Sequence, residues 1–395
     1  MSTQRQLFFQ HLAQTSFSPI GLEIIKAKGN YQYDINGKKY FDLISGFNVA
    51  NIGHSHSAVI EAIKKQAEDY MHLIVYGEFI QSPQTMYAQL LTKHLPASLD
   101  CVYFANSGAE ATEGALKLAK RSTNRTNIIA FNKSYHGSTQ GALSLMGDEY
   151  YRNSFRPLLP SIYHFNYNSD EALNAINEDT ACVVLETVQA ESGVTVPEKE
   201  WLHALKNKCT EQSALLIFDE IQAGFGRTGT LWAFEQFHVV PDILLLGKAL
   251  GGGMPLGAFI ANKNLMQSLS FNPVLGHITT FGGHPVSCAA GKAAFEILLS
   301  ENYIKDVAEK EKLFVEKLHH ASIKKINHFG LWFSLQFESA ETAQKIIHQC
   351  IKNGLITDWF LFAPDCLRIA PPLTITENEI NFVCATIIKS IEETA

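Results

Sequence analysis

The chain has 395 residues, 46% hydrophobic and 18% charged, with 32 Lys and Arg against 39 Asp and Glu and a formal net charge of -7. That composition suits a soluble globular protein with a substantial core, and the length allows two or three domains. It offers no basic patch for a nucleic-acid partner and no apolar stretch long enough to cross a membrane.

The opening stretch "MSTQRQLFFQHLAQTS" has no long apolar core and no small-residue cleavage site, so no signal peptide is expected. "YQYDINGKKYFDL" (31–43) reads as a hairpin closed by a two-residue Asn36-Gly37 turn. Apolar runs follow at 101–105, 127–131, 181–186, 215–219, 243–247 and 257–261, separated by amphipathic stretches such as 109–121 and 198–212. Runs apolar at every position predict strands buried on both faces, as in a parallel sheet. Their alternation with helices predicts an open α/β sheet covered by helices. From about residue 288 the pattern turns helical, then gives strand-like pieces at 332–337 and 366–370. The expected organisation is a small α+β domain from both chain ends (1–54 and 288–395) around a large α/β domain (55–287). Seven cysteines without CxxC spacing argue against a disulfide framework or zinc site and fit a reducing, cytoplasmic setting. No metal site is expected.

Ligands of open α/β sheets bind beyond the carboxyl ends of the strands. "LLIFDE" ends in Asp219, and "ILLLGK" ends in Lys248 just before Gly251, Gly252 and Gly253. One crossover and one strand fit between them, so both side chains can reach one sheet edge. Asp242 precedes its strand and should lie at the opposite edge. Taken singly, Asp219 reads equally as a helix N-cap and Lys248 as a solvated loop lysine. "NSGAEATEGALKLAK" (106–120) carries the S-x-x-E capping box at Ser107 and Glu110. Either it simply caps a helix, or the N–H groups of Ser107, Gly108 and Ala109 hold a phosphate at the positive helix end. Tyr135 in "SYHGS" either packs in a turn or lies against a planar ligand. One chemistry uses all four: a lysine–aldehyde Schiff base, a carboxylate on a protonated ring nitrogen, a helix N-terminus for phosphate and an aromatic platform. That set implies pyridoxal 5′-phosphate.

Together with "ETVQAESG", "FDEIQAGFGRTGTLWAFE", "TTFGGHP" and "LRIAPPLTIT", these stretches resemble the class III aminotransferases over nearly the whole chain. The resemblance implies fold type I, with a large domain built on a mostly parallel seven-stranded sheet. It implies Lys248 as the Schiff-base lysine and Asp219 as partner of the pyridine nitrogen. Ser107, Gly108 and Ala109 become the phosphate cup, Tyr135 the stacking aromatic, and Gln222 the neighbour of the phenolic oxygen. His136 and Glu186 join the cofactor-binding positions, Glu186 deeper and near Asp219. Thr280 would reach the phosphate of the neighbouring subunit, making a homodimer with shared sites. Arg368 would grip a substrate carboxylate, or else be a surface arginine, and Glu191 would mask its charge when the donor lacks an α-carboxylate.

Three departures bear on substrate. Ser138 stands where many relatives place a carboxylate-gripping arginine, Ala190 replaces a usual glycine, and Phe47 faces the substrate with an aromatic ring. The implied reaction is ping-pong transfer of an amino group from an amino acid or ω-amine donor to 2-oxoglutarate or pyruvate. An aminomutase or decarboxylase with the same cofactor is the alternative, and a catalytically silent cofactor-binding protein a remoter one. The "SGAE" loop lacks the G-x-G-x-x-G spacing of a dinucleotide binder.

Overall fold

Apolar runs buried on both faces organise the molecule, a computed structural model that describes residues 3–394. In chain order, β1 (Ile24–Lys28), β2 (Tyr31–Asp34) and β3 (Lys39–Asp42) come first. They are followed by β4 (Cys101–Ala105), β5 (Asn127–Phe131), β6 (Ile162–Phe165), β7 (Thr180–Glu186), β8 (Leu215–Asp219), β9 (Ile243–Leu246) and β10 (Gly257–Ala261). These seven form one sheet in the order β4-β10-β9-β8-β7-β5-β6. Every residue of β7, β9 and β10 is buried. The helix Gly108–Thr123 packs on β10, β9 and β7, and Lys199–Glu211 packs on β8.

Two departures from the sequence expectation have simple causes. β10 runs antiparallel to both β4 and β9. Burial on both faces carries no information on direction, and the connection 247–256 is shorter than the dozen or so residues a parallel crossover needs. β6 escaped notice because it is a half-buried edge strand, "IYHF", with Tyr163 exposed.

The remaining strands are β11 (Lys325–His328), β12 (Phe333–Gln336), β13 (Leu355–Ile356), β14 (Trp359–Phe360) and β15 (Ala363–Ile369). β13 pairs parallel with β3, so the two ends of the chain share a four-stranded sheet. β11, β12, β15 and β14 form a second, antiparallel one. The β2–β3 hairpin is closed by three residues rather than two. The Asp34 N–H donates to the Lys38 carbonyl, Gly37 N–H donates back to the Asp34 carbonyl, and Gly37 takes φ 79°. That is a turn followed by a left-handed residue, and Asp34 Oδ1 favours it by accepting from the Asn36 and Lys38 amides.

Fully buried Arg227 ties distant segments together. Its guanidinium donates to the Leu331 and Pro371 carbonyls at 2.8 and 2.6 Å and to Asn51 Oδ1 at 2.7 Å. No carboxylate pairs with it among the described residues, and burial pulls its pKa down to about 9 despite Asp42. No described helix is long and apolar enough to cross a membrane.

The sheet places Glu186, Asp219 and the residues after Leu246 at one edge, with Glu186 and Asp219 in direct register. Gly257 opens β10 beside the loop that starts the helix Gly108–Thr123, so close that a Cβ would collide with the Ser107 carbonyl. Gly257→Ala is therefore expected to destabilise the cofactor-free protein by about 1–3 kcal/mol. Thermal melts of the two proteins side by side measure it, and an unchanged midpoint would contradict the collision.

Candidate active site

A cavity of about 250 Å³ opens at the carboxyl edge of β7 and β8. Its wall includes Ser107, Gly108, Ala109, Tyr135, His136, Ser138, Glu186, Ala190, Glu191, Asp219, Gln222 and Lys248. These come from five separate segments, each at the end of a strand, brought together by the register of the sheet behind them.

Asp219 is buried at the end of β8. Its Oδ1 accepts from the Ile221 amide at 2.9 Å, and its Oδ2 lies 2.7 Å from His136 Nδ1. Burial alone would lower the His136 imidazole, but Asp219 and then Glu186 more than offset it, so the ring stands above its ordinary pKa. Beside it, Glu186 accepts from the Tyr135 amide at 3.0 Å and the Ala190 amide at 2.9 Å. Burial nevertheless pushes this carboxyl up to about 7, with His136 and both amides opposing and Asp219 adding to the rise. Asp242, at the other sheet edge, pairs with Lys206 and accepts from the Leu216 amide at 2.8 Å.

Lys248 follows β9 with φ 50°, a left-handed backbone that few non-glycine residues adopt. Its amine contacts Gln222 Oε1 and keeps some surface open to the cavity. Loss of water around it pulls the pKa down to about 8, although Glu191 and Asp219 pull the other way.

The helix Gly108–Thr123 points its N-terminus into the cavity. Ser107 Oγ accepts from the Glu110 amide at 3.2 Å. The other half of the expected capping box is displaced by one residue, because the Glu110 carboxylate accepts from the Asn106 backbone and side-chain amides at 2.9 and 2.8 Å. The Gly108 and Ala109 N–H groups, in the first turn, have no acceptor within the helix. Tyr135 is half-buried, its hydroxyl 3.2 Å from Ser138 Oγ.

Arg368, on β15, is buried and forks onto Glu191 with two hydrogen bonds of 2.9 Å. Glu191 also accepts from the Leu361 amide at 3.0 Å. Arg368 keeps Glu191 below the usual carboxylate range although burial works against it. The Phe47 ring lies 5.2 Å from the guanidinium carbon and Phe360 4.2 Å from it. Phe47 sits in a run of four positive-φ residues, Ser45, Gly46, Phe47 and Asn48. A left-handed residue other than glycine costs roughly 1–2 kcal/mol. Asp42 Oδ1 steadies the entry by accepting from the Ile44 and Ser45 amides, and Asn48 donates to the Gln222 carbonyl at 3.1 Å.

The structure thus gathers thirteen of the fourteen expected positions around one cavity and its Arg368 flank. Thr280 is exposed and does not line it. Ala190 has ordinary negative φ, so its methyl strains nothing. Sequence reasoning missed Asp358, buried with its Oδ1 2.9 Å from Arg368 Nε. It also missed Glu220, buried and accepting from the Ala233 and Phe234 amides. No cluster of three or more His, Cys, Asp and Glu side chains able to hold a metal ion occurs among the described residues.

Buried His136 Nε2 and Gln222 Nε2 have no protein partner. With the free helix amides, an amine of pKa about 8 and a fixed carboxylate, they suit a ligand joining phosphate, a ring cation and an electrophilic carbon.

Comparison with known proteins agrees. The family model described as Aminotransferase class-III matches residues 13–391. The chain is similar to the acetylornithine aminotransferase of Bacillus subtilis (strain 168), 40% identical over 365 residues, 91% of this chain and 92% of that one. That of Methanocaldococcus jannaschii is 38% identical over 374 residues, covering 91% and 90%. The crystal structure of ornithine aminotransferase from Toxoplasma gondii ME49 superposes with TM-score 0.91 at 29% identity, covering 100% of this chain and 96% of that one.

Because the Lys248 ammonium is unreactive and its pKa is about 8, labelling of the cofactor-free protein by an amine reagent should rise with pH through about 8. It should then level off, whereas ordinary lysines keep rising toward about 10.4. Peptide mass spectrometry at residue 248 measures this. A rate that tracks exposed lysines would show that the site leaves the amine unperturbed.

Proposed function

The chain belongs to the class III aminotransferases, and on that premise we propose which residues carry the reaction and which substrates it takes. Its activity is pyridoxal-phosphate-dependent transamination. When bound, pyridoxal 5′-phosphate supplies an aldehyde that exchanges with amines and a pyridinium ring that takes up electrons released at the substrate carbon.

Lys248 would hold the cofactor through Nζ, and its amine is the group placed to move a proton at the reacting carbon. A pKa near 8 leaves a useful fraction of the amine free at neutral pH, so it can act as base and then as acid. Asp219 would keep the ring nitrogen of a bound cofactor charged. His136 fixes Asp219 through the 2.7 Å contact and keeps its oxygens from turning away. Glu186 holds the Tyr135 loop by its backbone amide, so that the Tyr135 ring would serve as the aromatic platform for a bound cofactor. Gln222 would offer its side-chain amide to the cofactor's phenolic oxygen. The amides of Ser107, Gly108 and Ala109 would take the phosphate at the positive end of their helix. Residues 55–287 carry these groups, while 1–54 and 288–395 bring Phe47 and Arg368 over the substrate.

The observation that carries the substrate assignment is the closed Arg368–Glu191 pair. A masked arginine suits a donor whose reacting carbon bears no carboxylate, such as acetylornithine or another ω-amino compound, in keeping with the names of the relatives. The second half-reaction needs Glu191 to withdraw so that 2-oxoglutarate or pyruvate can place its carboxylate on Arg368. Ser138 supplies no cation for a carboxylate remote from the reacting carbon, which weakens the hold on any ω-amino acid, ornithine and 4-aminobutyrate included, and Phe47 favours an apolar moiety, which an acetylated amine offers and a free α-ammonium does not.

We also propose a homodimer with shared sites, acting in the cytoplasm. Thr280 lies among exposed apolar side chains, Ile278 and Phe281, and other chain segments expose Met71, Phe79 and Ile80, the last at 98%. Those side chains support a partner surface.

A screen of amines against 2-oxoglutarate and pyruvate should give acetylornithine-type donors the highest kcat/KM, with ornithine and 4-aminobutyrate at least about tenfold lower. Preference for ornithine would reverse the Phe47 argument. Lys248→Ala should lose turnover by roughly 10²–10⁴-fold with every productive donor. Retained turnover would remove Lys248 from its role.

A further inference from the structure

Arg368 has two carboxylates, and only one belongs to the gate just described. Glu191 occupies the terminal edge of the guanidinium, through Nη1 and Nη2. Asp358 occupies the opposite side, with Oδ1 2.9 Å from Nε but out of line with its N–H, so the contact is an ion pair rather than a hydrogen bond. Trp359 O accepts from Nη2 at 2.9 Å. The two anions stand on different supports. Glu191 comes from the loop after β7, whereas Asp358 shares the β14–β15 hairpin with Arg368 itself. The Arg368 amide donates to the Asp358 carbonyl at 2.9 Å, and Trp359 pairs with Leu367. Asp358 thus moves with the arginine, and Glu191 can move without it.

The exchange of carboxylates has an awkward moment. When Glu191 withdraws and no substrate has arrived, a guanidinium 2% exposed would stand unpaired at a heavy desolvation cost. A bare buried arginine would turn toward any available acceptor and lose its aim. Asp358 is the group placed to prevent both.

We infer that Asp358 is a positioning residue, which holds the Arg368 guanidinium and its counter-charge while Glu191 gives way to the carboxylate of the 2-oxo acid. It does not line the cavity. The inference rests on the reading of Arg368 and Glu191 as the carboxylate gate. It assigns Asp358 to one half-reaction only, because a donor without a carboxylate at its reacting carbon leaves the gate shut.

The test uses cofactor-loaded Asp358→Asn and measures KM separately for 2-oxoglutarate and for acetylornithine. The expected result is about a tenfold rise in KM for 2-oxoglutarate with KM for acetylornithine within about twofold of wild type. Equal changes in both, or none in either, would overturn the inference, since a merely structural residue does not split them. Arg368→Ala in the same assay keeps the two readings apart. A raised 2-oxoglutarate KM there with an unmoved Asp358→Asn would sink Asp358 alone, whereas an unmoved Arg368→Ala would sink the gate itself. If the Asn variant does not fold, the wild-type pH profile serves. Burial pushes Asp358 up to about 6, with Arg368 opposing and Glu191 and Asp42, the other charges around it, adding to the rise. KM for 2-oxoglutarate should then climb as pH falls through about 6, with no break there for acetylornithine, and a featureless profile would overturn the proposal.

Discussion

Two carboxylates on neighbouring parallel strands, Glu186 and Asp219, meet in register at a buried sheet edge, and much of the site is arranged around that fact. Such neighbours repel, and burial raises the cost of charging either. The surrounding loops answer with donors. His136 and the Ile221 amide serve Asp219, and the Tyr135 and Ala190 amides serve Glu186. Each donor belongs to a loop that also lines the cavity. Satisfying the pair therefore fixes the cavity wall, and the amine of Lys248 falls under the same field.

A similar economy governs the other side of the site. The Arg368–Glu191 pair costs desolvation, which its two hydrogen bonds oppose together with the Leu361 amide and the nearby rings of Phe47 and Phe360. Its members lie 177 residues apart in the sequence. Arg227, Asn51 and the β3–β13 pairing tie the N-terminal segment that carries Phe47 to the C-terminal one that carries Arg368. Core and site are thus linked through backbone carbonyls and amides more than through ion pairs.

How much of this was legible in the sequence depends on the range of the interaction. The strands with Asp219 and Lys248 at their ends were visible, because burial on both faces leaves an unbroken apolar run and a polar residue ends it. Strand direction was not, and β10 runs opposite to its neighbours for want of connecting length. Ser107 could be read as a cap, but Glu110 reached Asn106 because side-chain reach, not spacing, chose the acceptor. Asp358 sent no signal at all. Its importance comes from a short, irregular hairpin, two residues in β14, that no periodicity marks. The homologous motifs supplied roles for Arg368 and Glu191 that composition alone does not contain.

The left-handed run at Ser45–Asn48 limits how this site can change over time. A ring at Phe47 already sits where most side chains are penalised, and branching at Cβ would deepen the penalty. Variation there is channelled toward glycine, asparagine and the few unbranched residues that tolerate the conformation. New substrates are then reached more easily by altering the walls opposite, at Ala190 or Ser138, than by trying a full palette of side chains at the ring that faces Arg368.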